Sequence, residues 1–142
     1  MKYILSFLLI LLCSATNADT LKDKNAAKDL VSSIMSHVGK GDVETGLKLA
    51  KPYLSIPEHE FEGVVNSFRM QAPAIEQRFG KTLGSEFSHI QEVGTSLMLI
   101  MYIQKFETHV MRWKFYFYKP NESWILNTFN FDDKINLMFD GF

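Results

Sequence analysis

Residues 109–131 read HVMRWKFYFYKPNESWILNTFNF, and this stretch decides the fold class. Two runs rich in aromatic residues flank a KPNES segment, which is typical of a turn between two β-strands. In the first run Trp113, Phe115 and Phe117 alternate with polar and tyrosine side chains, a pattern that indicates a strand with one buried face. We therefore predict an antiparallel hairpin whose bulky rings point towards a core.

Alternation of apolar side chains extends over the second half of the chain and predicts four strands. A tight turn at residues 107–108 would place Ile100 opposite Phe115, and Tyr102 opposite Trp113. These residues would then share the inner face of one sheet. The predicted strands cover residues 86–93, 97–106, 109–119 and 124–131.

The last predicted strand needs one extra residue to keep its large side chains on one face. Trp124 and Leu126 share one parity, whereas Phe129 and Phe131 share the other. A β-bulge near residues 127–128 would bring all four to the core side and would curve the sheet.

The first half of the chain shows the spacing of three and four that is typical of amphipathic helices. Apolar residues recur in this way over residues 21–38, and Asp42 is the expected N-cap of a second helix. Residues 55–58 read as a capping box for a third helix, which we expect to kink or restart at Pro73. This order predicts an α+β domain, with N-terminal helices packed on a curved four-stranded antiparallel sheet.

The first eighteen residues have the features of a secretory signal peptide. Lys2 provides a positive start, residues 4–12 form an apolar run, and small residues precede a cleavage position after Ala18. The run is shorter than the roughly 20 residues of a membrane-spanning helix, although a retained anchor is the alternative. We predict a signal peptide over residues 1–18, one domain over residues 19–142, and an exported protein, periplasmic or secreted, with no membrane span after cleavage.

Composition excludes several classes of function. Cys13 is the sole cysteine of the sequence, so cleavage would leave no thiol for disulfides, catalysis or metal binding. The formal net charge is −1 and the basic residues are scattered, so we expect no nucleic-acid binding. Hydrophobic residues make up 46% of the chain, which is enough to build a core without disulfides.

The polar residues form no recognisable catalytic or metal-binding set. The four histidines lie on different predicted elements, whereas a zinc site needs three or four converging ligands. Asp132 and Asp133 fit a turn or a helix cap better than a shared acid/base pair. Tyr102 and His109 are the groups best placed to serve an enzyme, but ring packing and a solvated turn are simpler roles for them. We expect no catalytic residue, no cofactor and no metal.

The predicted outer face of the sheet is too apolar for a face that is simply exposed to water. Long basic side chains or the apolar C-terminal residues 135–139 could cover it. We favour docking of a second copy, as a homodimer, or of another protein partner. The interface candidates are Leu97, Leu99, Met101, Ile103, Arg112, Lys114 and Tyr116.

The order of elements and one hairpin pattern resemble a known family. The pattern Tyr118-Lys-Pro-x-x-x-Trp124-x-Leu126-x-x-Phe129-x-Phe131 after N-terminal helices is similar to exported members of the NTF2-like (cystatin-like, SnoaL-like) superfamily. The resemblance implies a cone-shaped half-barrel, a pocket between helices and sheet, and dimers through the outer face. Catalytic members of the family use an Asp or an Asp/His pair with a Tyr inside the cone, and this chain offers no residue-by-residue match to that set.

A pocket between the helices and the sheet would be lined mainly by aromatic rings, which suit a small, flat, apolar ligand. We rank a non-catalytic module that dimerises or binds a protein first, a binding protein for an apolar ligand second, and an isomerase- or dehydratase-like enzyme last. The pocket candidates are Phe61, Phe68, Tyr102, Gln104, His109, Trp113, Phe115 and Trp124.

Overall fold

The computed structural model describes residues 17–140, and of the predicted signal peptide only residues 17–18 fall in this range. Three α-helices precede an open four-stranded antiparallel sheet, which confirms the predicted α+β class. In the part of the chain described, no helix combines the length and apolar character needed to cross a membrane. The elements are α1 (Lys24–Val38), α2 (Val43–Ala50), α3 (Glu58–Phe79), β1 (Thr82–Val93), β2 (Leu97–Phe106), β3 (Val110–Tyr118) and β4 (Ile125–Asp132), with short 3-10 helices at Lys51–Tyr53 and Ile135–Met138.

Local sequence signals set the start of two helices but not of the third. The side chains of Asp23 and Asp42 cap α1 and α2 by accepting a backbone N–H of the first turn. The predicted capping box is wrong: Pro57 takes the N-cap position of α3, so Ser55 stands two residues too early to cap it. The helix then continues through Pro73 as one 22-residue element instead of restarting there.

The sheet is a meander in the order β1-β2-β3-β4. Ile100 lies opposite Phe115, and Tyr102 lies opposite Trp113, in the predicted register. Because side chains alternate along a strand, this register sends the four side chains to the face that the helices cover. The core therefore lies between the helices and that inner face.

One extra residue in β4 keeps the large side chains of that strand in the core. Tyr116 pairs with Thr128, whereas the next residue of β3, Phe117, pairs with Leu126, so Asn127 is the bulged residue. The bulge lies where the parity of the sequence predicted it. As a result, the apolar side chains on both sides of the bulge contact one core cluster.

Both edges of the sheet are protected against pairing with a further strand. The register of β1 shifts at Leu83 and at Ser88, so its free edge is interrupted twice. The other edge strand, β4, contains a bulge. Two isolated bridges lie at its start, because Leu21 pairs with Trp124 and Leu54 pairs with Leu126. Bulges and covered edges are common means by which sheets avoid edge-to-edge association.

Deletion of Asn127 tests the bulge. Without the extra residue, either Trp124 and Leu126 or the two phenylalanines of β4 must turn outward, because strand side chains alternate. We expect the deletion to lower the unfolding free energy by more than about 3 kcal/mol, the burial of two large apolar side chains, in urea denaturation. Asn127→Ser keeps the residue count and should change that free energy by less than about 0.5 kcal/mol. Equal stability of the two variants would contradict the assignment.

Candidate functional site

The outer face, the side of the sheet that points away from the helices, is the strongest candidate for a functional surface. Residues along β3 alternate between this face and the core, and the pairing of neighbouring strands extends each outward residue into a row across the sheet. The rows are Val93–Leu97–Tyr118–Ile125, Gln91–Leu99–Tyr116–Thr128, His89–Met101–Lys114–Asn130 and Glu86–Ile103–Arg112–Asp132.

The first two rows form the apolar end of the outer face. Val93 is 63% exposed, Leu97 48% and Tyr118 39%, so large apolar side chains meet water here. Leu99 and Tyr116 border a hollow of about 280 Å³ within the same rows. None of the eight residues in the two rows is charged. This end therefore has the composition of the centre of a protein interface.

The last row and Lys114 form the charged end of the outer face. Asp132 accepts hydrogen bonds from Arg112 Nε and Nη2 at 2.7 Å each and from Lys114 Nζ at 2.9 Å. Arg112 is only 4% exposed although it points away from the helices. The 3-10 helix Ile135–Met138 lies next to β3, the strand that carries Arg112. The hollow at the apolar end, by contrast, is lined by residues of β1, β2 and β3.

The carboxyl group of Asp132 stays ionised over a wide pH range. Burial raises the pKa of Asp132, but the hydrogen bonds from Arg112 and Lys114 outweigh this effect and hold the pKa well below its usual value. A buried guanidinium needs such a counter-charge. The charged end is consequently a satisfied structural cluster.

Four of the predicted aromatic pocket residues lie inside the core. Trp113 and Phe115 have no exposed surface, Phe61 is 1% exposed and Trp124 is 3% exposed. These rings belong to one continuous cluster, and Trp113 also stacks on Phe131 at 4.7 Å between ring centroids. The bulge in β4 turns Phe129 and Phe131 towards the same cluster, so the buried rings pack against further aromatic side chains.

Gln104 serves the same core as a buried polar link. Its Oε1 accepts from Trp113 Nε1 at 3.1 Å, and its Nε2 donates to the carbonyl of Val38 at 3.2 Å. The Nε2 group also lies 3.4 Å from Thr82 Oγ1. The amide is therefore occupied by structural hydrogen bonds, as buried polar groups usually are.

Tyr102 and His109 occupy separate places. The half-buried Tyr102 ring meets Phe87 edge-on at 5.5 Å between centroids. The His109 ring packs on Phe79 at 4.5 Å, and its Nε2 lies 3.0 Å from the backbone oxygen of Asp133. The contacts of the described residues thus do not bring the two groups into one catalytic arrangement.

The remaining histidines and acidic residues are dispersed. Across residues 17–140, no group of three or more His, Cys, Asp or Glu side chains converges as a metal site would require. His37 Nδ1 lies 3.6 Å from Asp42, and His89 shares a 2.9 Å hydrogen bond with Ser88. Burial lowers the pKa of His89, so its imidazole on the outer face favours the neutral form.

A hollow beneath α3 is bordered by two of the predicted pocket residues, whereas the sequence interpretation did not include the α3 residues Ala72 and Ile75 that also line it. Phe68 and Gln104 border a space of about 360 Å³ together with Ala72 and Ile75. The apolar stripe of α3 places the small Ala72 between Phe68 and the buried Phe79, so the helix does not reach the sheet at this point. A small residue between large ones on an amphipathic stripe is the signal that could have revealed it.

Comparison of the chain with protein-family models, with curated proteins and with solved structures gave no significant match. The resemblance to the NTF2-like superfamily therefore stays a prediction from the order of elements and the hairpin pattern.

Replacement of Asp132 tests the charged end. Asp132→Asn leaves Arg112 buried without its counter-charge, so we expect the unfolding free energy at pH 7 to fall by about 3 kcal/mol. Asp133→Asn is the matched control, because its partner Arg78 is a largely exposed side chain, 72% accessible. The control should lose less than about 1 kcal/mol. Similar losses in both variants, measured by urea denaturation, would contradict a structural role specific to Asp132.

The same cluster predicts a pH dependence. The pKa of Asp132 is lower in the folded protein than its ordinary value of 3.8. Its stabilisation is therefore present above that value and is lost as the pH falls towards the folded-state pKa. We expect the wild-type protein to lose more unfolding free energy than Asp132→Asn when the pH is lowered below 3.8. Parallel acid-denaturation profiles of the two proteins would argue against this assignment.

Proposed function

We propose that this chain is an exported, non-catalytic domain of NTF2-like type that acts by protein association. The apolar end of the outer face is the contact surface, and a homodimer is the form of association it supports best. The single observation that carries the proposal is the exposure of Val93, Leu97 and Tyr118 beside a hollow in an uncharged surface.

The contrast between the two ends of the outer face supports association at one of them. At the charged end, Arg112, Lys114 and Asp132 satisfy one another, and the C-terminal 3-10 helix packs nearby. At the apolar end, large side chains face water although each could be stabilised by burial, at about 25 cal/mol per Å². Contiguous apolar surface of this kind is typical of an interaction site.

The interior of the domain supports a role other than catalysis. The aromatic rings pack in the core, and the amide of Gln104 is occupied by Trp113 and Val38. The polar groups nearest to an enzyme-like role, Tyr102 and His109, are held apart by separate ring contacts. General acid/base chemistry needs groups that reach one common point.

The preference for a second copy over a different protein follows from charge. Specific association between different proteins commonly uses complementary charge to select the partner. The apolar end provides no charged side chain for such selection, and two copies of it can meet without burying like charges. The exported location is a part of the proposal that rests on residues 1–18.

Sedimentation velocity of Leu99→Asp tests the proposal. We expect the wild-type protein to form a dimer at micromolar concentration, and the variant to dissociate at least about tenfold more readily, because a carboxylate would be buried at the contact. Met70→Asp is the control: Met70 is 83% exposed on α3, so this variant should stay dimeric. A wild-type protein that remains monomeric at high micromolar concentration would refute the proposal, as would a Leu99→Asp variant that is folded and fully dimeric.

A further inference from the structure

The C-terminal segment, residues 135–139, presents a second group of exposed apolar side chains. Ile135 is 42% exposed, Leu137 43% and Phe139 79%. Among the large hydrophobic residues described, only Met70 is more exposed than Phe139. The segment begins after β4 and packs against β3 through its 3-10 helix. The chain therefore carries an apolar projection as well as an apolar hollow.

The start of the C-terminal segment and the hollow lie near opposite ends of β3. The segment follows Asp132, which pairs with Arg112, whereas the hollow lies beside Tyr116 and the exposed Tyr118 row. Arg112 and Tyr118 are six residues apart along β3, which corresponds to about 20 Å. Within one chain the start of the segment thus lies away from the hollow.

We propose that the occupant of the hollow is Phe139 of a second copy of this chain, docked reciprocally about a two-fold axis. The inference rests on the proposed function and names the partner and its binding mode. The two-fold axis would run parallel to the sheet and perpendicular to the strands, and would cross β3 between Lys114 and Tyr116. The two outer faces then meet, and β3 of the second copy runs in the opposite direction. The C-terminal segment of each copy then lies over the apolar end of the other, as an isologous interface requires.

The area of the contact favours this reciprocal arrangement. The two apolar rows span four strands about 4.8 Å apart and cover roughly 300 Å² of projected area. A stable interface needs about 800 Å² of accessible surface on each partner, so the apolar end alone is small for that purpose. Reciprocal docking adds the exposed side chains of residues 135–139 on both copies and joins the two surfaces into one contact.

The charges of the outer face are compatible with the same arrangement. Reversal of the strands sets Lys114 of one copy opposite Tyr116 of the second copy instead of opposite its own equivalent. The ammonium groups of the two copies therefore do not face each other. The apolar rows of one copy contact the C-terminal segment of the other, so no charged row faces a row of the same charge.

A mixing experiment distinguishes this mode from simple contact between two outer faces. Phe139→Ser removes the projection and Leu97→Asp disables the hollow, and both positions are exposed, so folding should be retained. Each variant alone should dimerise at least about tenfold more weakly than the wild type. A mixture of the two variants keeps one intact projection and one intact hollow in each heterodimer. We therefore expect the heterodimer to be tighter than either variant homodimer, measured by sedimentation or by fluorescence transfer between labelled variants.

The outcomes separate the two proposals. Preferential heterodimer formation supports the reciprocal mode. If Phe139→Ser dimerises like the wild type while Leu97→Asp does not, or if the mixture shows no preference, the reciprocal mode is wrong and association through the apolar end stands. A monomeric wild-type protein overturns both. Met70→Ser, an equally polar change at an exposed apolar position of α3, should leave dimerisation unchanged.

Disulfide trapping provides a second readout that does not depend on affinity. Cys13 is the sole cysteine of the sequence, so a Cys13→Ser background carries no competing thiol. Phe139→Cys mixed with Val93→Cys should give a disulfide-linked heterodimer under mild oxidation, more than either protein alone. Absence of that product in a mixture that still dimerises would overturn the reciprocal mode.

Discussion

Side-chain alternation along β3 is the constraint on which the rest of the structure depends. Trp113 and Phe115 turn inward and are completely buried, which forces Lys114 and Tyr116 to the opposite face. The bulge at Asn127 extends the same inward and outward arrangement to β4, because the extra residue keeps the large side chains before and after it on the inner face. A buried aromatic cluster and an outer face with an exposed apolar end are thus two consequences of a single backbone arrangement.

The outer face has two different ends. At one end the charged side chains pair with one another within the chain, whereas at the other end apolar side chains are exposed to water. Asp132 holds Arg112 and Lys114, and the C-terminal 3-10 helix packs on the same strand. At the other end, Leu97 and Tyr118 retain large exposed surfaces. Since the bulged edges of the sheet discourage strand pairing, the apolar end is the surface through which association gains the most. We propose that a homodimer buries this end together with the C-terminal segment.

Much of the sheet could be predicted from the sequence, because strand parity is a local property. The pairing of Ile100 with Phe115 and the bulge in β4 both follow from counting alternate residues. The start of α3 could not be predicted, because the Ser55 signal lies two residues before Pro57, the residue that takes the N-cap position. The packing of the interior and the exposure of Phe139 depend on how elements meet in three dimensions, which periodicity does not specify.

Hydroxyl-radical footprinting at low and high protein concentration tests the central claim most directly, since it reports the solvent exposure of individual side chains. The account predicts that Leu97 and Tyr118 become protected as the concentration rises, and that Phe139 becomes protected in parallel. Met70 lies on α3, on the other side of the sheet from the outer face, and should be oxidised equally at both concentrations. Equal oxidation of Leu97 and Tyr118 at both concentrations would contradict the claim that the apolar end of the outer face is a contact surface.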